Sequence, residues 1–102
     1  MVSFIKKLFS PSYDFRSIIA NGTPIIDVRS KGEYYEGHIT GAVNIPLNKI
    51  AGKAKNLKSK RVGVITCCRS GLRSLMAKRI LKKAGVKVYD AGVCKQLQKQ
   101  LK

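Results

Sequence analysis

Three cysteines and a local concentration of arginine define the chemistry open to this sequence. In the stretch Val64-Ile65-Thr66-Cys67-Cys68-Arg69-Ser70-Gly71-Leu72-Arg73-Ser74-Leu75-Met76, an apolar run leads into adjacent cysteines, a short polar loop and then helical spacing. A thiolate is a far better nucleophile than a thiol, and an ordinary cysteine, with a pKa near about 8.5, is mostly protonated at neutral pH. The surroundings of this pair favour the thiolate. Leu75, Met76, Ala77, Ile80, Leu81 and Ala84 recur at helical spacing and Gly85 stands at a C-terminal cap position, which predicts a helix starting at about Arg73 or Ser74. Its N-terminus would face the cysteines. The positive end of that helix, the N–H groups of a tight loop through Gly71, and the cations Arg69 and Arg73 all stabilise an anion. A cysteine placed this way, with no base beside it, suits covalent catalysis in which the sulfur attacks an electrophile and keeps a group.

A loop of this kind needs a strand to deliver it and neighbours to hold it. Arg61 to Thr66 reads as the central strand, with Gly63 allowing a close neighbour. Pro24 to Val28 is a nearly continuous apolar run bounded by turn residues, the pattern of a parallel strand buried on both faces. Asp27 and Arg29 fall at its C-terminal end, the functional edge of an open α/β sheet. Buried charges are usually paired, and Arg29 with Glu33 is the expected pair. Elsewhere Phe15, Ile18 and Ile19 mark a short helix ending at Asn21-Gly22, and Lys31 to Glu36 a helical turn. Ala42 to Ile45 is a short strand stopped by Pro46. Val86 to Tyr89 is a further strand with Asp90-Ala91-Gly92 as its exit turn. Val93, Leu97 and Leu101 lie on a closing helix. Strands alternating with helices imply a parallel sheet with right-handed crossovers.

Composition narrows the class. A chain of 102 residues supports one core, so a single domain is expected over 1–102. The core runs from about 12 to 92, with an N-terminal docking helix at about 2–10 and a C-terminal helix at about 93–101. Lys and Arg number 21 against five Asp and Glu, a net charge of +16 that attracts anionic partners. The basic segment from Leu47 to Arg61 contains no aromatic residue, which argues against a single-stranded nucleic-acid platform and for a solvated helix face. Phe4, Ile5, Leu8 and Phe9 are too few and too interrupted for a signal peptide or a membrane span. Three cysteines, two of them adjacent, do not form a disulfide framework, so a reducing cytoplasm is expected. One histidine and scattered cysteines give no tetrahedral ligand spacing, hence no metal site.

The motifs also resemble a known family. Cys68-Arg69-Ser70-Gly71-Leu72-Arg73-Ser74 is similar to the active-site loop of single-domain rhodanese-like proteins. Ile25-Ile26-Asp27-Val28-Arg29, Glu33-Tyr34 and Gly37-His38-Ile39-Thr40-Gly41-Ala42-Val43-Asn44-Ile45-Pro46 resemble that family's upstream signatures in order and spacing. The resemblance implies an α/β fold, an open parallel sheet of four to five strands flanked by helices on both faces. It also implies a thiosulfate sulfurtransferase in which Cys68 takes a sulfane sulfur from an anionic donor, holds it as a persulfide and passes it to cyanide, a thiol or a sulfur carrier. Arg69, Ser70, Gly71, Leu72, Arg73 and Ser74 would bind the donor, and Asp27, Arg29, Glu33 and His38 would support the loop. No cofactor is implied, and a monomer is expected. His38 invites reading as a general base, but its place in the signature resembles a structural turn. Where the family commonly has a second Gly and a Trp nearby, this chain has Val93 and Cys94, which leaves the pocket wall open.

Two other functions fit parts of the pattern: a cysteine phosphatase or arsenate-reductase relative, and a non-catalytic persulfide-binding or interaction module. Counted from Cys68, four residues precede Arg73, the spacing resembling sulfurtransferases; from Cys67 there are five, resembling the phosphatases. Strand alternation sets Cys67 with Gly63 and Ile65, opposite Val64 and Thr66, so Cys67 reads as the last strand residue and Cys68 as the start of the turn. Cys68 is therefore the expected nucleophile. Cys94 lies at the same sheet edge and is weighed as a partner that would resolve Cys68 as a disulfide, against buried packing, the commoner role.

Overall fold

Val64 to Cys68 is an uninterrupted run suited to a strand covered on both faces, and all five residues are buried in the computed structural model, which describes residues 13–102. In chain order the elements are α1 (Phe15–Ala20), β1 (Ile25–Asp27), α2 (Lys31–Glu36), β2 (Val43–Asn44) and α3 (Leu47–Lys58). These are followed by β3 (Val64–Cys68), α4 (Leu72–Lys83), β4 (Val88–Val93) and α5 (Cys94–Gln100). The four strands form one parallel sheet in the order β2-β1-β3-β4, with the cysteine strand at an interior position.

Side-chain alternation divides the core. Ile26, Val28, Val64 and Cys68 pack with Ile50, Ala54 and Leu57 of α3 and Ala77 and Leu81 of α4. Ile25, Ile65 and Cys67 pack with Phe15 of α1 and Cys94 and Leu97 of α5. Helices therefore cover both faces, as expected for this class. Leu81 and Ala77 have no exposed surface, and truncating a leucine buried to that degree costs about 2–5 kcal/mol. That packing fixes α4 on the sheet and so fixes where its N-terminus points.

Local sequence sets the ends. Asp14 caps α1 by accepting from the Ser17 N–H, and Ser30 with Glu33 forms a reciprocal capping box on α2. Gly63 has φ +79°, and a Cβ there would stand 2.8 Å from the Lys87 carbonyl oxygen, the close approach expected of it.

Several boundaries differ from expectation. The strand expected at Arg61–Thr66 runs from Val64 to Cys68, because Gly63 N–H donates to the Lys60 carbonyl and closes a turn before it. Cys68 is thus the last strand residue instead of the first turn residue. β4 extends to Val93, absorbing the expected exit turn Asp90-Ala91-Gly92. Turn-forming residues there serve a register shift instead: Thr66 pairs with Asp90, but Cys67 pairs with Gly92. The docking helix expected at about 2–10 lies outside the described residues. No helix among the described residues is long and apolar enough to cross a membrane.

Candidate active site

Cys68 is buried and its thiol is free. Its Sγ accepts two backbone hydrogen bonds, from Gly71 N–H at 3.0 Å and from Ser74 N–H at 3.3 Å. The first depends on Gly71 adopting φ +95° at the N-cap of α4, a left-handed conformation in which other residues are strained. The second depends on Ser74, which is fully buried. Its hydroxyl donates to Asp90 Oδ1 at 2.5 Å and shares a 2.9 Å bond with Thr66 Oγ1, while Asp90 Oδ1 also accepts from Gly92 N–H at 2.9 Å. Ser74 thereby ties the first turn of α4 to β3 and β4, and its own N–H is aimed at the sulfur. Thr66 and Asp90 are supports that sequence reasoning missed; the signal was present in Asp90-Ala91-Gly92, which reads equally well as a turn that ends the strand.

The other loop residues differ in exposure. Arg69 and Ser70 are exposed, and the Ser70 hydroxyl lies 3.5 Å from Leu72 N–H, at the limit of a hydrogen bond. Leu72 is 63% exposed, so it presents only its backbone to the loop. Arg69 makes no hydrogen bond or ion pair among the described residues, and it borders, with Cys68, a cavity of about 600 Å³. Arg29, Glu33, His38 and Cys94 also border that cavity.

The charges around the loop pair differently from expectation. Arg29 was expected to meet Glu33, but it grips Asp27, with Nε at 2.9 Å from Oδ1 and Nη2 at 2.7 Å from Oδ2. Its backbone N–H also donates to Asp27 Oδ1, because the chain bends back where β1 ends. Nη2 reaches on to the Gly37 carbonyl at 2.8 Å and so pins the loop after α2. Glu33 instead receives both terminal nitrogens of Arg73, at 2.6 and 2.9 Å. The Arg73 guanidinium, with help from the Ser30 N–H, holds the Glu33 carboxyl well below the usual carboxylate range. Glu33 in turn raises Arg73, as Asp27 raises Arg29. Arg73, expected to bind donor, thus stands beside the cysteine with its guanidinium already engaged. His38 stacks on Tyr34 with ring centres 3.6 Å apart, and its Nδ1–H donates to the Tyr34 carbonyl at 2.8 Å. That bond fixes the ring to its own turn.

The expectation of unpaired cysteines is overturned. Cys67 and Cys94 form a disulfide with Cα atoms 5.0 Å apart. Cys94, weighed as a partner of Cys68, is joined to its neighbour instead. The reason is register: Cys67 sits across from Gly92 on the α1/α5 face, the face to which the first turn of α5 returns Cys94. Composition could not show this pairing, which arises from a parallel contact across 27 residues. Asp27 has its carboxylate within 4.8 Å of both sulfurs, but it is engaged by Arg29 and the sulfurs by each other.

The rhodanese-like domain pattern matches residues 13–95, most of the chain. The chain belongs to the rhodanese-like family. It is 43% identical over 63 residues to the putative sulfur carrier protein YrkF of Bacillus subtilis, a match covering 62% of this chain and 34% of that protein. It is 36% identical over 74 residues to the thiosulfate sulfurtransferase PspE of Escherichia coli, covering 71% of each. Among solved structures it is similar to a rhodanese with anions from E. coli, with TM-score 0.66 and 36% identity over 72% of this chain and 89% of that one. The rhodanese fold is therefore established, and sulfurtransferases and sulfur carriers are among the relatives. The chain spans about a third or less of the length of the first curated relatives it matches.

Proposed function

We propose that this chain is a sulfurtransferase working through a persulfide on Cys68. The observation that carries the proposal is the free Cys68 sulfur beneath two inward-pointing backbone N–H groups, bordering a cavity that also holds unengaged Arg69. Negative charge on that sulfur is met by fixed dipoles that need no rearrangement as the reaction proceeds. With thiosulfate as donor, the Cys68 thiolate attacks the sulfane sulfur, the donor's S–S bond breaks, and sulfite leaves with the bonding electron pair. A second nucleophile, cyanide or an acceptor thiol, then takes the sulfane sulfur and returns Cys68 as a thiolate.

In this scheme Arg69 draws in the anionic donor and offsets charge on the departing oxyanion. Arg73, its direction fixed by Glu33, adds positive charge at the back of the loop. Ser70, Gly71, Leu72 and Ser74 supply the backbone of the cradle. Asp27, Arg29 and His38 hold the facing wall. Similarity to the thiosulfate sulfurtransferase PspE supports thiosulfate as the donor, and similarity to the putative sulfur carrier protein YrkF supports a carrier-type acceptor. The domain works as a monomer; the Cys67–Cys94 disulfide removes the cysteine-count ground for a reducing cytoplasm.

Intact mass after incubation of the chain, in its Cys67–Cys94 disulfide form, with thiosulfate tests this reading. One added sulfur atom on Cys68, removed by cyanide with release of thiocyanate, is the expected result. Hydrolysis of an aryl phosphate without sulfur gain would assign the loop to the phosphatase class, and neither activity would leave a binding module.

A further inference from the structure

All three cysteines lie at the C-terminal ends of β3 and β4, Cys68 on the α3/α4 face and Cys67 with Cys94 on the α1/α5 face, and only Cys68 has a part in the reaction above. Cys67 pairs in register with Gly92 and Cys68 with Val93, so Cys94 is the next residue along the strand edge from the partner of Cys68. All three cysteines are buried, but Cys94 and Cys68 border the same cavity and Cys67 does not. Cys94 is thus within one cavity of the sulfur donor site and covalently joined to Cys67 behind it. We propose that Cys94 and Cys67, when reduced, are a built-in dithiol that takes sulfane sulfur from Cys68 and releases it as sulfide. This rests on the persulfide reading of Cys68.

The steps balance without an added oxidant. The Cys94 thiolate attacks the outer sulfur of the Cys68 persulfide; the Cys68 Sγ–S bond breaks, and Cys68 leaves as a thiolate. The sulfane sulfur is then carried on Cys94. The Cys67 thiolate next attacks Cys94 Sγ; the bond from Cys94 to the outer sulfur breaks, the Cys67–Cys94 disulfide forms, and hydrosulfide leaves. In sum, one persulfide and two thiols become one thiol, one disulfide and one hydrogen sulfide. The sulfane sulfur gains the two electrons that the two thiols lose. The order follows from position: Cys94, which borders the cavity, receives the sulfur, and Cys67 behind it expels it. The disulfide in the structure is the end state of this sequence. A further cycle requires an external thiol or dithiol to reduce it, so the accompanying activity would be reduction of a sulfane donor at the expense of thiols.

The test uses the full chain, reduced with a phosphine, freed of reductant and treated anaerobically with about one equivalent of thiosulfate per chain. Released sulfide is counted per chain and the cysteines are mapped by peptide mass. The expected result for wild type is about one equivalent of sulfide, a new Cys67–Cys94 disulfide and no retained sulfur. Cys94→Ser is expected to release none and to hold one extra sulfur on Cys68. Cys67→Ser is expected to release none and to hold the extra sulfur on Cys68 or Cys94, a second variant that decides the matter if the first does not fold. Wild type that keeps its sulfur on Cys68 with Cys67 and Cys94 still reduced would overturn the relay and leave the persulfide chemistry standing. No sulfur acquired in any of the three proteins would overturn the persulfide reading itself.

Discussion

On the α1/α5 face of the sheet the sulfur of Cys67 is tied to the first residue of α5, while on the α3/α4 face the sulfur of Cys68 is left free beneath the Gly71 and Ser74 amides. The two residues are adjacent in sequence and equally buried. The pleat alone sends them to opposite sides, and each side then decides what its sulfur becomes. A side chain meeting a helix N-terminus finds N–H groups and a positive dipole, which suit an anion. One meeting another cysteine at a Cα separation of 5.0 Å finds a cross-link partner. Reactivity here is a property of the face, not of the residue type.

Exchanging each cysteine for serine breaks this comparison most sharply. Cys68→Ser is expected to lower thiosulfate:cyanide transfer by about a thousandfold or more, since it removes the atom that forms the covalent intermediate. It should leave stability within about 1 kcal/mol, because the serine keeps the shape of the site. Cys67→Ser is expected to do the reverse. It removes a cross-link spanning 27 residues, a loss of about 2–4 kcal/mol for typical disulfides, and retains most of the transfer activity. Cyanide-dependent thiocyanate formation and denaturant unfolding, measured under non-reducing conditions, separate the two. Transfer lost with Cys67 and kept without Cys68 would reverse the roles of the faces.

Ser74→Ala sharpens the comparison at the next level, by loosening the cradle without touching the sulfur. The buried hydroxyl joins Thr66 to Asp90, and its removal leaves Asp90 Oδ1 with only the Gly92 N–H. The fully buried Thr66 hydroxyl also loses its partner, and leaving a buried polar group unpaired costs about 1–3 kcal/mol, which denaturant unfolding reads directly. Because the Ser74 N–H then loses its side-chain anchor, the rate of persulfide formation should also fall while the Cys67–Cys94 bond is unaffected. Unchanged stability and rate would mean that α4 is positioned by Ala77 and Leu81 alone.

How much of this was legible in the sequence follows the range of the interactions. The buried run at Ile25 and Ile26, the helical spacing of Ala77 and Leu81, and the Gly63 close approach are local signals, and they predict the sheet and its covering helices. The chemistry of the Cys68 loop is legible for the same reason, since Gly71 and Ser74 lie within six residues of the sulfur they meet. The disulfide and the ion pairs are not. Whether Arg29 turns to Asp27 or Glu33 depends on how the chain bends after β1, and both carboxylates are close in sequence. The Cys67–Cys94 bond depends on the bulge that sets Gly92, instead of Ala91, across from Cys67. A shift of one residue in a strand exchanges its faces, and no periodicity reports such a shift in advance.

The smallest expected effect concerns the ion pair that separates the loop from the facing wall. Glu33 has its carboxyl held far below the ordinary range by Arg73, whereas in the unfolded chain it titrates near about 4.3. A depressed native value means that the unfolded state takes up the proton first as pH falls. The contribution of Glu33 to stability is therefore complete above the unfolded value and is lost progressively as pH drops below it toward the native one. Glu33→Gln should remove that portion of the acid sensitivity, so its unfolding free energy should decline less steeply than that of the wild type below about pH 4.3. At neutral pH the variant should be less stable by no more than about 1 kcal/mol, since both partners keep some contact with solvent, which screens the pair. The site supplies a second readout. With Glu33 neutral, Arg73 is released to turn toward the cavity, so Glu33→Gln should bind sulfite, an anionic product, more tightly than wild type. Parallel pH profiles for the two proteins, with equal sulfite affinity, would show that Arg73 owes its position to the packing of α4 and not to Glu33.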